Sequence, residues 1–438
     1  MIAQLFLNRM MLSSLIRRVM VLTAVLIGAM LTAVPAGAQN LSALQNLSGS
    51  NGAQPLSGVV ADNAGNLYVT SSAGGLGGGT VIQLSPANGG GWTQTVIYNF
   101  GATTTDGVYP SGAIVFDNAG NLYGTTEHGG QFNGGTAFEL SPVIGGTWTE
   151  TILHNFGSGT DGIFPTGGLA IDAAGNLYGT TVKGGVNKNC NYSGTTSTCG
   201  IAFQLVPGGG NSWTYNAIHQ FGGKGDAYFP GAPLVVDANG NLIGQCSLGG
   251  TYGHGMTFEL SLVSGVWNET LVHAWGNGND GQYPYSPVTI APDGSLYMAL
   301  SQTGVKGNMG GVFRLVPNGN SWTEQSVYYF GINVDGQFPQ SSVVFDNAGN
   351  LYGTTQHGGI SASLGYGTLY RLTPTQGTWT ETILYNFSGG ADGGVPSGSL
   401  VIDNNNNIYG TTWYGGSAQN CFIGPIPGCG VVFQFSPQ

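Results

Sequence analysis

The sequence predicts an all-β fold: a seven-bladed β-propeller of four-stranded antiparallel blades, with the last blade completed by the N-terminal strand. Three observations predict it. An aspartate closing a short β-prone run recurs as Asp62, Asp117, Asp172, Asp237, Asp293, Asp346 and Asp403, at spacings of 55, 55, 65, 56, 53 and 57 residues. Seventy-nine glycines punctuate a chain in which only 7% of residues are charged and 11% are aromatic, too apolar for disorder and too interrupted for helices. The repeat also breaks phase at both ends, and the two fragments complement each other.

Residues 1–38 differ from the rest. Arg9, Arg17 and Arg18 precede the apolar run Val19 to Val34, and Pro35 and the small triplet Ala36-Gly37-Ala38 follow. This pattern reads as a secretory signal peptide cut after Ala38, with a retained membrane anchor as the alternative. Cleavage leaves six Lys and Arg against twenty Asp and Glu, a formal charge of −14 over residues 39–438. A surface so acidic repels phosphate backbones, so nucleic acid is not an expected partner. No second apolar segment exists, so no membrane contact is expected after cleavage, and a monomer is expected.

The segment Leu41 to Leu47, then Ser48-Gly49 and Asn51 to Pro55, resembles Ile383 to Phe387, then Ser388-Gly389 and Asp392 to Pro396. The last repeat meanwhile stops at Gly430 to Pro437 and lacks the strand that follows in the other six. Residues 41–47 are therefore predicted to supply that strand beside 430–436, closing the ring without an exposed sheet edge.

Each repeat contains four β-prone runs, here strands A to D, separated by Gly, Asn, Asp and Pro. The clearest copy reads Gly112 to Asp117, Gly120 to Thr126, Gly135 to Leu140 and Trp148 to Phe156. Strand C shows the period-two alternation of a half-buried strand, as in Phe138/Leu140, Phe203/Leu205, Phe258/Leu260 and Phe313/Leu315. The A–B turn reads Asp-Asn-Ala-Gly-Asn from Asp62, Asp117 and Asp346, where Asn and Gly supply positive φ. One small twisted sheet cannot bury both faces, so about 55 residues per four strands implies blades stacked in a ring; a parallel β-helix has much shorter coils.

The core Gly-Asn-Leu-Tyr-Gly-Thr-Thr (Gly120 to Thr126), the Gly-Gly pairs and the Gly-x-x-Phe-x-Leu strand resemble the GloVer tandem repeat of bacterial secreted proteins, over residues 56–438. The resemblance implies a propeller-like array outside the cytoplasm, with no assigned function. Many members carry a C-terminal anchoring segment, whereas this sequence ends within its last blade.

Up-and-down strands place the B–C loops and D–A crossovers on one face, and that face holds most of the variable material. Its B–C loops carry Glu127, His128, Lys183, His357, Trp413 and Tyr414. They also carry the pairs Cys190/Cys199 and Cys421/Cys429, read as disulfides in an oxidising compartment. Neither pair has CxxC spacing and no histidine lies beside either, which argues against a metal. Cys246 replaces a repeat threonine and is expected to be a buried thiol. The D–A crossovers place an aromatic before a proline: Tyr109, Phe164, Phe229, Tyr283 and Phe338. These rings either line a sugar-stacking surface or wedge adjacent blades together, and recurrence in nearly every repeat favours the wedge.

The strand-A aspartates fit Asx-type turns better than calcium loops, because the dense alternation of oxygen ligands is missing. His154, His219 and His273 share one repeat position with Tyr98, Tyr328 and Tyr385, so they read as packing variants. No GxSxG elbow, metal-spaced His/Glu motif or phosphate loop occurs, so no catalytic residue, metal or cofactor is expected. The expected function is a secreted or cell-surface scaffold that binds a glycan or a surface protein. The alternative is a polysaccharide-cleaving lyase or hydrolase, which needs two carboxylates about 5 to 10 Å apart; Glu127 is the acid outside the repeat pattern.

Overall fold

Seven four-stranded antiparallel sheets follow one another along the chain in a computed structural model that describes residues 41–437 except 193–194, 224, 306, 332–334, 360–364, 419–420 and 422–426. The leader expected over residues 1–38 lies outside the described residues. Blade 1 comprises Val60–Ala61, Leu67–Ser71, Thr80–Pro86 and Trp92–Asn99, and blade 2 comprises Val115–Phe116, Leu122–Thr126, Thr136–Val143 and Thr147–Asn155. Blades 3 to 6 repeat the order with strand B at Leu177–Thr181, Leu242–Cys246, Leu296–Leu300 and Leu351–Thr355. No α-helix occurs among the described residues.

Blade 7 closes as the sequence predicts. Its strands Gly394–Ile402, Ile408–Tyr414 and Val431–Phe435 accept Leu41–Asn46 as the outer strand, with Leu41 opposite Phe435 and Asn46 opposite Val431. The pairing carries a bulge between Ala43 and Gln45, opposite the step from Phe433 to Val432. The same bulge occurs at Val81/Ile82, Ala137/Phe138 and the equivalent steps of the other blades. Leu47 then donates its N–H to Gly430 O at 3.0 Å, as Phe100 does to Gly79 and Phe156 to Gly135. The N-terminal segment is therefore strand D of the last blade, shorter than the others but with the same bulge and the same terminal hydrogen bond.

The core lies between blades. Tyr68, Val81 and Phe100 of blade 1 pack against Ile114, Leu122 and Phe138 of blade 2, and Leu67 and Ile82 of blade 1 pack against Tyr409 and Val432 of blade 7. Full burial of each such side chain contributes roughly 1.5–3 kcal/mol. The strand-D tryptophans sit edge-on to the strand-B tyrosine of the preceding blade, as in Trp148 on Tyr68 at 6.4 Å and Trp213 on Tyr123 at 5.9 Å. Trp92 meets Tyr409 at 5.9 Å, which repeats the contact across the closure.

The A–B turns are Asx turns. Asp117 Oδ1 accepts the N–H of Ala119 and of Asn121, while Oδ2 accepts the Asn121 side-chain amide and the Tyr123 hydroxyl. Every polar atom of the carboxylate is thus used inside its own turn, and Gly120 takes the positive φ of 87°.

Candidate functional site

The D–A crossovers build the site. After each outer strand the chain returns to the axis, and the residue before the proline adopts φ between 56° and 62° at Gln54, Tyr109, Phe164, Phe229, Tyr283, Phe338 and Val395. Non-glycine residues rarely occupy this region, so something must hold them there. Each donates its N–H across the seam to the carbonyl two residues before strand C of the previous blade: Tyr109 to Gly78 O at 2.7 Å, Phe164 to Gly134 O at 2.8 Å, Tyr283 to His254 O at 2.9 Å. The following proline lies against a glycine of that blade, Pro110 on Gly79 and Pro165 on Gly135, where no Cβ would fit.

The crossover then pairs with the B–C loop of its own blade. Gly107–Val108 pairs with His128–Gly129, Ala227–Tyr228 with Leu248–Gly249, and Gly336–Gln337 with His357–Gly358. The two loop sets therefore share one face, as strand alternation requires.

Beyond the proline, the next residue of every crossover reaches one axial pocket of about 350 Å³. Leu56, Ser111, Thr166, Gly231, Tyr285, Gln340 and Ser397 form this ring, one from each blade. Gln356 and Trp413, at the ends of strand B in blades 6 and 7, complete the rim. Below them the strands approach closely enough to demand glycine: a Cβ on Gly112 would be driven into the backbone of Gly168, beside the Ala113–Gly168 bridge.

The pocket lining contains no charged side chain. Its polar groups are hydroxyls and amides: Gln356 Nε2 donates to Gln340 Oε1 at 2.9 Å, and Ser397 Oγ donates to Pro55 O at 3.1 Å. The indole nitrogen of Trp413 is buried without a hydrogen-bond acceptor, and the ring stacks on Tyr414 at 4.6 Å. Tyr285 is 47% exposed at the rim.

Of the residues singled out in the sequence, Trp413 lines the pocket. Tyr109, Phe164, Phe229, Tyr283 and Phe338 sit two positions before the ring residues, at the seams. His128 lies between Tyr109 at 5.6 Å and Phe164 at 4.8 Å, and His254 and His357 pack edge-on to Tyr283 and Phe338. Glu127 stands 3.6 Å from His128, each about one third exposed, at the repeat position held elsewhere by Gln356 and Trp413. Tyr414 is buried against Val395. Cys190 is bonded to Cys199 and Cys421 to Cys429, and Cys246 is a buried free thiol. Sequence reasoning missed Tyr285, Gln340 and Leu56. Their signal was variability at the residue after an otherwise recurring proline.

The crossover aspartates lie farther out. Asp106 and Asp226 cap their own turns by accepting backbone N–H groups, and each faces an acid from strand D of the next blade. Burial pushes Glu150 up to about 7, with Tyr98 donating to it at 2.7 Å and Asp106 nearby. Burial likewise pushes Glu269 up to about 7 and Glu381 up to about 8, the latter beside Asp335. Between blades 4 and 5, His273, Asp280, Glu324 and Tyr252 line an open groove of about 560 Å³.

Fold and site together define a β-propeller whose one axial pocket gathers a residue from every blade. Its seams are held by a pre-proline staple. The chain belongs to the Gloeobacter/Verrucomicrobia repeat family, whose model matches residues 28–192 and 189–424. Among solved structures it is similar to a protein of unknown function from Dyadobacter fermentans, at 12% identity and TM-score 0.44, covering 92% of this chain and 98% of that one. It is also similar to a Bacteroides uniformis protein provisionally named a 6-phosphogluconolactonase, at 15% identity and TM-score 0.48, covering 74% and 83%. No protein of curated function matches the chain.

Proposed function

We propose that the protein is an exported, non-catalytic binding scaffold whose axial pocket takes a neutral, hydroxyl-rich ligand, namely a segment of an extracellular glycan. The observation that carries this reading is the lining: a tryptophan, a tyrosine, an amide pair and hydroxyls, with no charge. Aromatic faces pack against the apolar faces of sugar rings, while amides and hydroxyls exchange hydrogen bonds with ring substituents. An anionic ligand would find no counter-charge there. Export is supported by the two disulfides, which fit an oxidising compartment.

The test is a glycan array paired with a reducing-end release assay on the purified protein. Retention without release is expected. Trp413→Ala and Tyr285→Ala are each expected to weaken retention about 10-fold or more, as loss of a central aromatic anchor does. Retention unchanged in both variants would overturn the pocket assignment.

A second reading, polysaccharide cleavage, is favoured by one feature, the groove between blades 4 and 5. Burial raises the Glu324 carboxyl there, close to Asp280, which suits a general acid beside a carboxylate. Release of reducing ends that Glu324→Gln abolishes and Glu127→Gln spares would support it; release abolished by Glu127→Gln would move the chemistry to the loop face.

A further inference from the structure

We propose that His219, Asp226 and Glu269 form a binding site for one divalent transition-metal ion, with zinc the best fit, at the seam between blades 3 and 4. The three come from different parts of the repeat. His219 lies in strand D of blade 3 (Trp213–Gln220), Asp226 in the following crossover, and Glu269 in strand D of blade 4 (Val266–Ala274). Their ligand atoms all lie within 4.8 Å of one another.

Comparison with the other seams separates this cluster from ordinary packing. At the seam between blades 2 and 3, His154 bonds Asp161 directly at 3.0 Å, and Tyr215 occupies the place of the second acid. Between blades 4 and 5, His273 bonds Asp280 at 2.9 Å. At two further seams a tyrosine replaces the histidine and donates to the glutamate: Tyr98 to Glu150 at 2.7 Å and Tyr328 to Glu381 at 3.2 Å. His219 instead stands back, with Nε2 3.4 Å from Asp226 and 3.6 Å from Glu269, so that it faces both acids at once; Glu269 Oε1 is sealed from solvent without a hydrogen-bond donor, as are the equivalent oxygens of Glu150, Glu324 and Glu381.

The two separations from His219 match edges of a coordination polyhedron, and the third pair of ligand atoms lies within 4.8 Å. Around a four-coordinate zinc with bonds of about 2.0–2.2 Å, neighbouring ligand atoms stand about 3.3–3.6 Å apart. One imidazole and two carboxylates suit zinc, with a water in the fourth position. The histidine side chain is 20% exposed, the aspartate 10% and the glutamate 19%, which leaves a path for the ion from the rim of the seam. A cation there would also offset two carboxylates that otherwise face each other in a partly buried site.

Tag-free, chelator-treated protein titrated with zinc chloride by isothermal calorimetry tests this. One saturable site and a zinc-dependent rise in melting temperature are expected. His219→Tyr places the residue already found at Tyr98, Tyr328 and Tyr385, so the blade should fold while zinc binding weakens at least about 10-fold, the loss that even outer-shell changes produce. His154→Tyr, at the neighbouring seam, should bind as the parent does. Absence of a saturable site, or binding unchanged by His219→Tyr, would overturn the proposal. Should His219→Tyr lose its near-ultraviolet dichroism, Glu269→Gln provides the same comparison with the imidazole in place.

Discussion

The backbone N–H of Gln54 donates to the carbonyl of Cys429 at 2.8 Å, joining the first crossover of the chain to its last blade. The same staple joins consecutive blades at every other seam, but here it spans the two ends of the chain. Pro55 completes it by packing against Gly430. Closure thus combines the N-terminal strand, the staple and the proline contact with the blade 1–blade 7 packing of Leu67, Ile82 and Trp92 against Tyr409 and Val432.

Deleting residues 39–50 should lower the melting temperature markedly, because Val432 and Phe433 would lose the strand that covers the edge of blade 7. The smaller change Leu47→Ala, at a fully buried position, should cost about 2–5 kcal/mol, read from chemical denaturation. An unchanged midpoint in both would contradict closure by this strand.

Gly135 accepts no side chain. A Cβ there would be driven into the Thr126 carbonyl oxygen and would lie 2.8 Å from Cδ of Pro165, on a backbone at φ 99°. Gly135→Ala should therefore destabilise by more than the few tenths of a kcal/mol typical of surface changes, roughly 2–4 kcal/mol, through both the clash and the positive φ. Gly120→Ala, where nothing lies within 4 Å, isolates the backbone contribution at about 1 kcal/mol.

The two disulfides should contribute similarly to global stability but unequally to the order of the closing strand. Cys429 carries the carbonyl that receives Gln54, whereas Cys199 serves an internal seam. Removing either bridge as a double Cys→Ser variant should cost about 2–4 kcal/mol. The Cys421/Cys429 variant should in addition expose the outer strand Leu41–Asn46 to faster amide hydrogen exchange, and equal exchange in both variants would count against this division.

Stability should fall as pH rises from about 4.5 to about 8. Burial raises Glu150 and Glu269 to about 7 and Glu381 to about 8, from 4.5 for an ordinary glutamate. The folded chain therefore holds protons that the unfolded chain has released, so this contribution is fully present below about pH 4.5 and is lost as pH passes 7 to 8. Calorimetry between pH 5 and pH 9 should show a decline that Glu381→Gln partly flattens. The A–B turn aspartates act in the opposite sense. Burial alone would raise Asp117, Asp172, Asp346 and Asp403, but the asparagine and backbone donors outweigh it and hold them low, so their contribution is lost in acid.

Much of the architecture was legible because its signals are local and repeated. The seven aspartates counted the blades, the missing Trp-Thr-Glu-Thr strand located the closure, and strand alternation put both loop sets on one face. The paired cysteines were legible for the same reason, since Cys190 and Cys199, and Cys421 and Cys429, lie a few residues apart.

What only the tertiary structure decided are the places where distant repeats converge. Tyr109 and its equivalents attract notice in the sequence because they recur, yet their positive φ and their cross-seam hydrogen bonds turn them into the joints between blades. The pocket falls to the residue after the proline, which varies from blade to blade and so has no repeat signal. The same holds for His219 and Glu269. Each looks like an ordinary repeat position, and only the packing of one blade against the next brings an imidazole to 3.6 Å from a carboxylate fifty residues away.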